Sequence, residues 1–172
     1  MIGHRQHGLA LLDIQLGLAL SLAIVMIAMG GAWAAVNNGS SSAQAQAWVT
    51  QTVARTQAAY ASRADFSLLN QSSALHDGLF PEASTVTGQP VNPWGGDLAL
   101  SAGAPREMVL TMDQVPALSC VQVVLATVGA RAEVDGHALN DGGRRTDPQE
   151  LASVCSSSGS AGSRVQFFFD KR

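Results

Sequence analysis

Positive charge is scarce in this chain. Only ten of its 172 residues are Lys or Arg, Lys171 is the only lysine, and the net charge is −3. No basic run occurs, which argues against a nucleic-acid footprint and against a polybasic patch for anionic lipid. Two cysteines, Cys120 and Cys155, are too few for a small disulfide scaffold or a four-thiolate zinc site, and they allow a single intramolecular pairing. No proline precedes Pro81, so that helix breaker is missing from the first part of the chain. Charged residues are 13% of the chain and hydrophobic ones 47%. The length fits one compact domain with an additional segment rather than two full domains.

The apolar excess is concentrated near the N-terminus. Leu16 to Val36 reads LGLALSLAIVMIAMGGAWAAV, a stretch without charge. At about 1.5 Å per residue it spans roughly 30 Å as a helix, the thickness of a bilayer core. Arg5 in the polar leader MIGHRQHG favours a cytoplasmic N-terminus, with everything after Val36 across the membrane. Three readings are open. The stretch is a permanent single-pass anchor, or a secretory signal with Ala32-Trp33-Ala34 as its cleavage site, although it exceeds the usual ~7–15 residue apolar region. The third reading starts from Gly8, which joins the leader to the apolar helix, and from Asp13 five positions later. A carboxylate at the centre of a membrane helix costs about 2.5–3.5 kcal/mol, and less near the interface. Either Asp13 sits at headgroup level with Gln15, or it meets a partner charge. Cleavage after Gly8 would supply one, the new α-amino group of Leu9 on a neighbouring copy.

Gly8 followed by LALLD and a long apolar helix resembles the N-terminus of type IV prepilins. The resemblance implies cleavage by prepilin peptidase after Gly8, methylation at Leu9, and an assembly role for Asp13, where the family usually carries glutamate. Leucine as the first mature residue is more like the type IVb class. Asn37 to Ser42 either breaks this helix or loosens it. Beyond it, Ala45, Trp48, Val49, Val53, Thr56, Ala59 and Tyr60 form a helical stripe within Ala43 to Ala61. Residues 62–96 read as a loop region with short turns, ending in Asn92-Pro93-Trp94-Gly95-Gly96. That element is similar to the NP-aromatic-GG element before the first head strand of type IVb pilins.

Glu107 to Asp113 alternates as a strand. Val115 to Val128 fits either a strand or a short buried helix. The resemblance places a helix there, carrying the first cysteine. Arg131 to Val134 reads as a strand before an Asp135-Gly136 turn. A helix starts at Thr146 as N-cap, with Pro148 and Glu150 in its first turn, and ends near Cys155. After the turn SSSGSAGS, Arg164 to Asp170 is a strand with Val165, Phe167 and Phe169 on one face. This order resembles bundle-forming and PilS-type pilins over nearly the whole mature chain. In the oxidising compartment beyond the membrane, the resemblance implies a Cys120–Cys155 disulfide.

Enzymatic signals are weak. His76 and His137 lack metal-ligand spacing to any His or Cys. Ser119-Cys120 has no local base pattern. Asp141-Gly142-Gly143 is no phosphate loop. Arg144-Arg145 reads as a solvated turn. No catalytic residue, cofactor or metal is expected.

The expected fold is α+β: a long N-terminal helix on an antiparallel sheet of about four strands, with small flanking helices. The expected organisation is a leader at 1–8, a membrane and polymerisation helix at 9–36, and a head at 37–172. The resemblance implies a structural subunit of a type IVb pilus that is held in the inner membrane before assembly. Its partners would be other copies in a helical fibre, prepilin peptidase, the inner-membrane assembly machinery, and membrane lipid before assembly. A minor pilin, a secretion pseudopilin, or a non-polymerising anchored or secreted binding domain are the alternatives.

Overall fold

The computed structural model describes residues 39–86, 88–139 and 146–171. Gly8, Leu9, Asp13, the expected membrane helix and Arg144-Arg145 lie outside them. Among the described residues, no helix is long and apolar enough to cross a membrane.

Residues 39–59 are helical (α1). Ser42, Ala45, Val49, Thr52 and Thr56 are buried, and Tyr60 just beyond the helix continues their three- and four-residue spacing. Of the expected stripe, Ala45, Val49, Thr56 and Tyr60 are buried, Trp48 and Val53 are half-buried, and Ala59 is exposed. Thr52 carries as much of the seam as any apolar residue. Its own hydroxyl has no partner, while its carbonyl accepts from Thr56 Oγ1 at 2.7 Å.

The stretch read as loop contains structure too short to leave a periodic trace. Helix α2 (Gln71–His76) starts from an Asn70/Ser73 capping box. Strands β1 (Thr85–Val86) and β2 (Gln89–Pro90) form a small hairpin. The main sheet has five strands rather than about four. They are β3 (Leu98–Ala102), β4 (Glu107–Val115), β5 (Arg131–Val134), β6 (His137–Ala138) and β7 (Ser163–Asp170), in the antiparallel order β3-β4-β7-β5-β6. The two-residue β6 is too short to show alternation.

Register explains the core. Leu100, Leu110, Phe167 and Ala132 stand opposite one another in one row across the sheet, and Leu98, Met112, Val165 and Val134 in the next. All eight are buried. Because side chains alternate with a period of two, these rows share one face. Val115 to Val128 resolves as a helix, α3 (Ala117–Ala126), beginning directly after Pro116. Helix α4 (Pro148–Ser157) is capped by Asp147 and not by Thr146. The Asp147 carboxylate accepts from Gln149 N at 2.8 Å, and Pro148 occupies the first turn, where a missing N–H costs nothing.

Candidate functional site

Four local devices shape the surface that this head presents. The first is the turn at Asn92-Pro93-Trp94-Gly95-Gly96. The Asn92 side chain accepts from Trp94 N at 2.9 Å and Gly96 N at 3.2 Å, and donates to Asp113 O at 2.5 Å. Gly95 has φ +86°, a conformation that side chains disfavour. At Gly96 a Cβ would collide with the Asp113 carbonyl. The motif therefore folds the chain against β4 and delivers it into β3. Trp94 is half-buried against the core.

The second device is the disulfide. Cys120 of α3 and Cys155 of α4 are bonded, with Cα atoms 5.9 Å apart, and both are buried. Around the bridge, Val123 and Val124 of α3 and Leu151 of α4 are buried as well. Ser119 is buried, and its hydroxyl has no partner. With Cys120 in a disulfide, no free thiol nucleophile exists here.

A polar knot fastens β7. Arg164 pairs with Asp113, Nε to Oδ1 at 2.5 Å, and this carboxylate raises the guanidinium pKa further. Arg164 N donates to Asp135 Oδ1 at 2.8 Å, and Ser158 Oγ donates to the other Asp135 oxygen. Lys171 then ties the end of β7 to the end of α1: its ammonium donates to Tyr60 O at 2.7 Å and to Arg63 O. Those carbonyls lie at a helix C-terminus, where a cation is favoured.

The fourth device is the surface beside α3. Leu118, Val121, Leu125 and Val128 succeed one another at three- and four-residue intervals. Val128 is 90% exposed, Leu118 73% and Leu125 47%. Helix α3 is thus apolar on its outer side as well as its buried one, a pattern expected of a helix covered on both sides. Next to it runs a groove of about 540 Å³, lined by Val49, Val53 and Ala54 of α1, by Ala126 and Val128, and by Phe169. The exposed positions of α1 from 43 to 54 are Ala43, Gln44, Ala47, Thr50, Gln51 and Ala54, and none is charged. A helix face that only meets water is ordinarily charged.

His76 ends α2 and His137 lies in β6, and both are exposed. Among the described residues, no group of His, Cys, Asp or Glu could hold a metal ion. Sequence reasoning found the turn, the disulfide and the strand face. It missed the roles of Asn92, Lys171 and the outer face of α3. The one lysine of the chain, placed after the last strand, was the available signal for the second of these.

Three comparisons bear on this arrangement. The family model described as PilS N terminal matches residues 19–167. A crystal structure of the type IV b pilin from Salmonella typhi is similar, with a TM-score of 0.50 and 16% identity. The match covers 70% of this chain and 94% of that one. At this identity the likeness is one of fold. No curated protein matches the sequence.

Proposed function

This chain belongs to the PilS family of type IVb pilins, and on that premise we propose that it is a fibre-forming structural subunit. It is made as a precursor with a leader at 1–8 and is cleaved by prepilin peptidase after Gly8, which leaves Leu9 as the methylated N-terminus. Residues 9–36 hold the precursor in the inner membrane, N-terminus cytoplasmic and head periplasmic. The same residues then pack into the core of an extracellular fibre. Close packing there uses Gly30, Gly31, Ala34 and Ala35. Asp13 neutralises the α-amino group of a neighbour's Leu9 and so sets the register between copies.

The observation that carries this reading is the two-sided apolar character of α3 beside an uncharged face of α1. In a monomer, both surfaces stand in water without reason. In a fibre of copies related by one repeated rotation and translation, an apolar ridge on one copy meets a different surface on the next. Such a contact propagates instead of closing into a dimer. The disulfide and the Arg164 knot hold α3 and α4 in place, so that the ridge is rigid when it docks. The family and the fold are structural ones.

Mass spectrometry of the mature N-terminus, combined with the Asp13→Ala variant, tests the proposal. The expected mass corresponds to a start at Leu9 carrying one methyl, with fibre yield reduced or lost in the variant. A start near Ala35, an uncut Met1, or undiminished fibres from Asp13→Ala would overturn it.

A further inference from the structure

We propose that Gln71 is a plug for the open edge of the sheet, keeping copies of this chain from pairing strand to strand. Strand β3 is an edge strand of five residues with no further strand outside it among the described residues. Its ladder to β4 leaves the backbone groups of Leu98, Leu100 and Ala102 pointing outward, since pairing groups alternate along an antiparallel strand. An edge of this kind is a template for strand addition by another chain.

One side chain and one carbonyl occupy it. Gln71 Nε2 donates to Leu98 O at 3.1 Å, and Gln71 Oε1 accepts from Leu100 N at 2.9 Å. Two residues along, Ala102 N donates to Leu69 O at 3.0 Å. A primary amide presents an N–H donor and a C=O acceptor side by side on one edge, as the N–H and C=O of a single residue lie on one side of an extended strand. The Gln71 amide therefore makes the pair of bonds, either side of Ala99, that a residue of a sixth strand running parallel to β3 would make. Glutamate could not substitute, because an ionised carboxylate only accepts and would face the Leu98 carbonyl. The placement is built in from below. Gln71 is the first residue of α2, held by Asn70 Oδ1 accepting from Ser73 N at 2.9 Å and by Ser73 Oγ accepting from Asn70 N at 3.0 Å.

The opposite edge needs no such device. Strand β6 has two residues, and the Ala132 carbonyl of β5 already accepts from Leu139 N at 3.0 Å. Short edge strands are themselves poor templates. With the β3 edge plugged and the β6 edge short, copies crowded side by side associate through their helical faces and not through their sheets. The inference concerns the head alone and holds whatever the assembly does.

The test compares the full chain in detergent with its Gln71→Met variant by backbone hydrogen exchange and sedimentation velocity over a range of concentrations. In dilute samples of the variant, the Leu100 amide is expected to exchange about tenfold faster or more, the effect of losing one ordinary hydrogen bond. Amides of Leu110 and Phe167 should be unaffected. As concentration rises, Leu100 should regain protection while a dimer or larger species forms that is absent from the wild type. Unchanged Leu100 exchange, or faster exchange at every concentration without association, would overturn the proposal. Should Gln71→Met loosen the whole sheet, the same two readouts on Gln71→Asn decide. That variant keeps the polar group one methylene short of the edge.

Discussion

Removal of the disulfide by the double change Cys120→Ala and Cys155→Ala is the perturbation whose size follows most directly from the fold. The bridge joins residues 35 apart in sequence. In the chain-entropy treatment, a closed loop of that length restricts the unfolded chain by about 3.8 kcal/mol. Alanine avoids leaving a hydroxyl where the sulfurs are buried. The entropy of unfolding near the midpoint is roughly 2 cal/mol/K per residue, and the unit from Gly39 to Arg172 has about 130 residues. The midpoint should then fall by about 14 °C. Far-ultraviolet circular dichroism of the full chain in detergent, heated with and without reductant, measures it. The wild type in reductant should approach the variant once heat opens the head, because the sulfurs are otherwise shielded. A shift below about 1 kcal/mol would refute the reasoning. It would mean that packing of Val123, Val124 and Leu151 already restricts α3 and α4 in the unfolded ensemble.

Two further changes probe the turn and the ridge. Gly96→Ala drives a methyl into the Asp113 carbonyl and should cost about 3 kcal/mol, the upper end for overpacking against backbone; a melting curve equal to the wild type would show that the turn re-seats freely. Val128→Asp alters a residue that is 90% exposed, so the melting temperature should stay within the small range of surface changes while sheared fibre yield falls severalfold. Equal yield would separate the α3 ridge from assembly and remove the observation that carries the proposed function, leaving the mature N-terminus and Asp13→Ala to decide it.

Particular elements show how far sequence patterns reached. The strand from Arg164 to Asp170 was legible because Val165, Phe167 and Phe169 alternate, and period two is a local property of extended backbone. Val115 to Val128 was ambiguous as strand or helix, since an apolar run that packs on two sides has no clean period. Helix α2 was hidden because six residues with one buried side chain, Ala74, leave no stripe. Thr146 as the expected cap is a one-residue error, since Asp147 caps α4 and both side chain types are good caps.

The sequence by itself determined the class of molecule. The uncharged stretch from Leu16 to Val36, the Gly8 junction, Asn92-Pro93-Trp94-Gly95-Gly96 and the two cysteines are local patterns, and they carry the resemblance to type IVb pilins without a fold. Tertiary structure decided which backbone groups were left over and what met them. The Gln71 amide reaches Leu98 and Leu100 across 27 and 29 residues of chain, and the Lys171 ammonium reaches Tyr60 across 111. Neither pairing has a sequence period, because each exists only where the sheet brings an unsatisfied peptide group within 3 Å or so of a donor or acceptor from a distant segment.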